Sequence, residues 1–532
     1  MKGRLVRPIF LLPALAALLA GCGGDGGGPS PPSGPDPATV TPADAPLFAE
    51  ALVQPEGDRK QALDSALSKL LATDDPGALV VDRVDEALAD AGAGLTYQDD
   101  IQPWLGERAG FFFQGSPQKT QGAAVIATTD EPAAQRAIDK AAAADKEPER
   151  RRSYQGVDYR VDRGGTAAGV VGDFVVAGTE RAFRDAVDAS NQRSLAESGE
   201  FEAQLDRAPQ DWVGFLYLEP RKILDELGKS GLATVAEASS TAQGLEPLLR
   251  QPVSASISAA SDQLSLQASA AAGTAPASQE SQLLGDFPEE SWLAFAIADV
   301  GQTYGRVLRE VRHDAGAAEA TVGGGLGFDL ADQVSRWAGD LGGFITGTSL
   351  FGFGGALVLE TDDEQASAST LHQLRRALGD DPRLTVEPLT DTDDKGFSFS
   401  PAGVPISFTV VQHDGKVVAG LAASVEDVLS PSSTLDDSDA LDSAADALGE
   451  DFAPLTFVDF VPMLELIEGF PQAAGDPDYQ SAKPYLDHLD YFVLGTRSDG
   501  DRAELRMVLG LRDAPAETGG DSEAAAAAVV GE

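Results

Sequence analysis

The sequence predicts an α+β fold built twice: two tandem related domains, each a mainly antiparallel β-sheet packed with α-helices. Three observations predict it. One order of strands, helices and turns occurs twice, with Trp104 and Trp337 as matching positions 233 residues apart. Tight turns join successive strands, which makes them antiparallel. Apolar residues form 42% of the 532-residue chain, enough for sizeable cores.

In the first copy, residues 101–108 (IQPWLGER) lead into an apolar strand at 109–113; in the second, 334–341 (VSRWAGDL) lead into 342–345. The strand at 123–127 is followed by Thr129, Asp130 and Glu131 opening a helix. Its counterpart at 356–359 is followed by Thr361, Asp362 and Asp363, with Leu371, Leu374 and Leu378 on one helix face. Thr and Asp in these places cap a helix, because their oxygens accept the free N–H groups of its first turn. A hairpin then turns at Gly172 and Asp173, matched by Asp414 and Gly415, residues that tolerate the backbone of tight turns. An acidic helix follows each hairpin, at 180–187 and 424–429. A strand and helix come next, at 212–218 with Ile223 and Leu224, and at 455–460 with Met463 and Leu464. Closing hairpins at 254–270 and 491–511 complete the two copies.

The expected boundaries are a leader at 1–21, a tether at 22–41, domains at 42–272 and 286–513 joined by 273–285, and an acidic, Ala-rich tail at 514–532. In the leader, Lys2, Arg4 and Arg7 precede an apolar run at 9–20, too short for a bilayer core that needs about 20 residues. It ends in Leu19, Ala20, Gly21 and Cys22, which resembles the lipobox of bacterial lipoproteins. The resemblance implies cleavage before Cys22 and lipid attachment to its thiol. Cys22 is the only cysteine, so no intramolecular disulfide forms, and lipidation would occupy a thiol otherwise exposed to oxidation. The Gly, Pro and Ser of 23–41 predict a flexible tether with an r.m.s. span of about 25 Å.

The formal charge is −46, and the only charged residues of the predicted leader are basic, so its removal leaves the remainder more acidic still. Such a chain does not seek nucleic acid or anionic lipid through charge. The body resembles the domain of unknown function 3352 family of exported or membrane-linked bacterial proteins. This rests on Pro42, Ala43, Asp44 and Ala45, on Glu56, Gly57 and Asp58 before a helix, and on Pro103, Trp104, Leu105 and Gly106. The family carries no assigned activity, so the resemblance implies no catalytic residues.

Candidate chemistry is sparse. With Cys22 lipidated, cysteine catalysis and zinc held on sulfur are excluded. His313, His372, His413 and His488 show no ligand-pair spacing, and there is no Gly-x-Ser-x-Gly elbow. Asp391, Asp393, Asp394 and Gly396 resemble the start of a calcium loop. Lys395 takes a ligand place there, and Ala402 stands where the closing Glu is needed. Asp436, Asp437 and Asp439 read better as a polar helix start than as a cation site. No catalytic residue, metal site or cofactor is expected.

Glycines 323, 324, 325 and 327, then 342, 343, 347, 352, 354 and 355, surround Phe344, Phe351 and Phe353. No Gly-Lys-Ser/Thr follows, so turns and close sheet packing are their expected role, with an apolar crevice for an acyl chain or peptide as the functional reading. Trp104, Gly106, Trp337 and Gly339 are expected structural anchors. The leading expectation is a non-enzymatic envelope lipoprotein held by Cys22 to the outer face of the membrane, binding an envelope protein or a lipid ligand. The alternatives are a lipid or glycolipid carrier and a hydrolase of envelope polymers.

Overall fold

The structure, a computed structural model, describes residues 32–114, 121–144, 150–223, 251–271, 281–301, 330–349, 352–389, 395–404, 406–500 and 502–515. The leader, Cys22, Gly323 to Gly327, Asp391, Asp393, Asp394 and the end of the tail lie outside them, as does His313. The fold is α+β with an antiparallel sheet.

The first half supplies β1 (Leu47–Leu52), β2 (Leu105–Gln114), β3 (Gln121–Thr128), β4 (Arg150–Tyr154), β5 (Val157–Val161), β6 (Thr166–Val171), β7 (Phe174–Thr179), β8 (Trp212–Leu218), β9 (Val253–Ala260) and β10 (Gln263–Ala271). The second supplies β11 (Ser291–Ile297), β12 (Ala338–Thr346), β13 (Gly354–Thr361), β14 (Leu384–Pro388), β15 (Lys395–Pro401), β16 (Phe408–His413), β17 (Lys416–Leu421), β18 (Ala453–Asp459), β19 (Leu489–Asp499) and β20 (Arg502–Leu511). The first half pairs in the order β4-β5-β6-β7-β3-β2-β1-β8-β9-β10. The second repeats that order strand for strand, from β14 to β20, each number raised by ten.

The sequence assigned a sheet to each half. In the structure the closing strands β10 and β20 pair with each other, from Gln263↔Gly510 to Ala271↔Arg502, so among the described residues the two arrays run on as one antiparallel sheet of twenty strands.

Helices pack on both faces. α1 (Gly57–Leu70) and α2 (Pro76–Ala91) lie between β1 and β2; α3 (Glu131–Ala144) follows β3, and α4 (Glu180–Asn191) and α5 (Gly199–Leu205) follow β7. In the second half come α6 (Leu330–Val334), α7 (Glu364–Gly379), α8 (Ala422–Leu429), α9 (Asp439–Leu448), α10 (Phe460–Glu468), α11 (Pro471–Ala474) and α12 (Pro477–Leu486). The strands alternate sides, so each half has two cores. In the first, α4 and α5 close over Phe48, Phe112, Val176 and Phe215, while α2 and α3 close over Trp104, Ala109, Ile126 and Val175. In the second, α8 and α9 cover Phe344, Val358 and Phe457, while α7 covers Trp337, Val410 and Val417.

The caps repeat as well. Asp130 Oδ1 accepts from Ala133 N at 2.8 Å to start α3, and Asp363 Oδ1 accepts from Ala366 N at 2.9 Å to start α7. Ser194 with Glu197 and Thr434 with Asp437 form two matching capping boxes.

The packed body begins earlier than residue 42. Pro37–Val40 is a 3-10 helix whose Ala38 and Val40 are buried in the first core. Asp36 caps it by accepting from Ala38 N at 2.9 Å, and Pro37 at its first position has φ already set. The last residues of the expected tether are therefore part of the fold.

Candidate functional site

An open apolar cleft of about 740 Å³ lies in the second half. Its floor is the sheet, with Phe295 from β11, Ile345 from β12, Leu357 from β13 and Ala419 from β17. Leu374 and Leu378 of α7 form one wall, and Phe399, Ile406 and Phe408 another, with Phe399 and Phe408 stacked at 5.3 Å between centroids. Among the described lining residues Thr409 is the one polar side chain, and none is titratable.

The glycine-rich run shapes this cleft. A Cβ on Gly343 would stand 2.8 Å from both Phe295 Cε1 and Leu357 Cδ2, so glycine lets those two side chains lie across β12. Gly347 turns the β12–β13 hairpin at φ +87°, and a side chain there would meet Gly352 O at 1.9 Å. The first half solves the same position in reverse. By strand register Phe111 replaces Gly343, Ala49 replaces Phe295 and Ala124 replaces Leu357. The first half's own apolar cavity lies deeper, between Trp104, Leu88 and Ile138, and is closed to about 70 Å³.

The expected anchors sit as follows. Trp104 is buried, with Nε1 donating to Asp100 O at 2.6 Å; Trp337 is buried, with Nε1 donating to Thr370 Oγ1 at 3.1 Å. A Cβ at Gly106 would meet Ala127 Cβ at 2.9 Å, whereas Gly339 has room for one, its nearest neighbour being Glu360 Cβ at 3.6 Å. Gly106 thus carries a close approach that Gly339 does not.

The described histidines do not converge. His372 Nδ1 lies 3.4 Å from Arg375, His413 Nε2 lies 3.4 Å from Asp414, and His488 Nδ1 lies 3.0 Å from Arg512 O. Asp437 accepts from Thr434 N at 3.1 Å, a helix-start role. Among the described residues no three His, Cys, Asp or Glu side chains gather as a metal site. No helix among them is long and apolar enough to cross a membrane.

Polar clusters that the sequence did not single out lie away from the cleft. Glu180 accepts from Arg152 and Arg184 at 2.6 Å and from Tyr159 OH at 2.9 Å. Partial burial works against its ionisation, but these bonds hold the carboxyl below its usual range. Glu50 is buried against Arg108, which also reaches Asp36 at 3.0 Å. Burial pushes the Glu50 carboxyl up to about 7.

The family model described as "Protein of unknown function (DUF3352)" matches residues 27–493, and the chain belongs to this family. No curated protein matches it. Two solved structures are similar over part of the chain. Crystal form I of TP0453 shares 10% identity and a TM-score of 0.26 over 45% of this chain and 80% of that one. Crystal form III shares 10% identity and a TM-score of 0.24 over 46% and 82%. Likeness at that level transfers nothing to this chain.

Proposed function

We propose that this member of the DUF3352 family is a non-catalytic binder of an acyl chain, held by a lipid on Cys22 at the outer face of a membrane. The observation that supports it is the cleft of about 740 Å³, within the range of small-molecule pockets, with Thr409 the one polar side chain among its described lining residues. Apolar walls take up an alkyl chain by removing it from water, at about 0.8 kcal/mol per methylene. Among the described residues the lining offers no carboxylate pair, which weighs for binding over hydrolysis of an envelope polymer. The Cys22 anchor rests on the leader sequence and would keep the cleft close to lipid.

A fluorescent fatty acid titrated into the purified chain tests the binding. Leu357 lines the cleft and is half-exposed, so Leu357→Asp spares the fold while setting a carboxylate against the bound chain. Affinity should fall at least about tenfold. Equal affinity in the variant, or no uptake by the parent, refutes the reading. For the anchor, Cys22→Ser should move the protein out of the membrane fraction, and retention there would contradict it.

A further inference from the structure

We propose that the mouth of the cleft docks on a zwitterionic lipid bilayer surface, an inference that rests on the acyl-chain reading and adds where the ligand is exchanged. Four large apolar side chains stand in solvent around the mouth. Phe353 is 45% exposed, Ile406 46%, Val404 43% and Phe470 37%. Phe353 and Ile406 also line the cleft, so the exposed apolar surface is continuous with its interior. Phe470 follows α10, whose end abuts the β12–β13 turn: a Cβ on Gly469 would stand 3.9 Å from Thr348 O. Val404 lies two residues before Ile406 on the β15–β16 connection.

The charge pattern selects the partner. In a chain that is 23% charged, no Asp, Glu, Lys or Arg occurs from Leu341 to Leu359 or from Gly396 to Gln412, the two stretches that carry Phe353, Val404 and Ile406. A contiguous apolar patch of this kind marks a contact surface. These uncharged stretches suit the headgroup layer of a neutral bilayer, where apolar side chains sink a few ångströms below the boundary. The charge of −46 on the whole chain opposes approach to anionic lipid.

The test uses residues 22–532 bearing Cys22→Ser, so that neither a lipid anchor nor the apolar leader contributes. It is sedimented with phosphatidylcholine vesicles and with phosphatidylglycerol vesicles, and titrated separately with a soluble fatty acid probe. Binding to phosphatidylcholine is expected, with weaker binding to phosphatidylglycerol at low salt. Val404 and Phe470 lie outside the cleft lining, so Val404→Asp/Phe470→Asp should cut the phosphatidylcholine partition at least about tenfold and leave probe affinity unchanged. Val404→Ser/Phe470→Ser, which adds no charge, should also weaken it.

Docking is overturned if the parent takes up the probe but does not sediment with phosphatidylcholine, an outcome that leaves the acyl-chain reading intact. It is equally overturned if the double variants sediment as the parent does. Self-association of the parent without lipid, abolished by the double variants, would assign the rim to a second copy of the chain and also overturn it. Vesicle binding without probe uptake would support docking while refuting the cleft's proposed ligand.

Discussion

Glu50 gives the first half a titration that the second half lacks, since register puts the fully buried Ala296 in its place on β11. In the unfolded chain its carboxyl titrates near 4.5, and in the fold burial raises it to about 7 in spite of Arg108. The folded state therefore holds this proton more tightly than the unfolded state does. The resulting stabilisation is fully present below about 4.5 and is lost as pH rises through about 7. Asp36, Glu107 and Arg108 surround the carboxyl and share its field. Urea denaturation of the parent and of Glu50→Gln across this window checks the sign. The parent should lose stability relative to the variant as pH rises from 4.5 to 7. A constant difference between them would mean that Glu50 keeps an ordinary carboxylate pKa in the fold. Because Arg108 also reaches Asp36, the same cluster fastens the start of the body to β2.

The elements show which features a one-dimensional reading captures. Hairpins and caps are local, so Asp414-Gly415 and the paired starts of α3 and α7 were legible from residue type alone. The glycine-phenylalanine run was legible chiefly as turns and close sheet packing, with a crevice as its lesser reading, because glycines between strand-like segments signal close backbone approach. Its walls were not, since Leu374 and Leu378 read as an ordinary helix stripe and Phe295 lies some fifty residues before the run. Pro37–Val40 was hidden by the composition around it. Only Asp36, Pro37 and two apolar residues distinguish it from linker, and their meaning depends on a core formed by β1, β2 and α4. Gly178 and Gly420 show how the duplication enforces geometry. A Cβ on the first would stand 2.2 Å from Gly122 O, and on the second 2.4 Å from Gly355 O, so both halves need glycine where β7 and β17 cross their neighbours.

At the scale of the molecule, the seam between β10 and β20 decides whether the halves act as one body. Its residues read as surface from sequence, because Gln267, Arg502 and Glu504 bury only once strands more than 200 positions apart pair. Glu504 Oε2 accepts from Arg497 Nη2 at 2.7 Å and from Gln267 Nε2 at 3.2 Å, while Gln267 Oε1 accepts from Arg506 Nη2 at 2.6 Å. Both guanidinium groups lie over the Phe452 ring, at 4.7 Å for Arg497 and 4.3 Å for Arg506. Burial and the neighbouring Arg497 charge push Arg506 below its ordinary pKa, and Glu504 is the buried carboxylate that, with the exposed Asp451 beside Arg497, offsets this pair of cations. Removing it takes away the buried carboxylate and leaves the exposed Asp451, 3.2 Å from Arg497, as the nearer counter-charge, a destabilising change. Glu504→Ala should therefore speed amide exchange in β10 and β20 together, because each strand's N–H groups on this side are satisfied by the other. Exchange that rose in β20 while β10 stayed protected would show that the seam is not a shared unit, and that the first half holds its closing strand without the second.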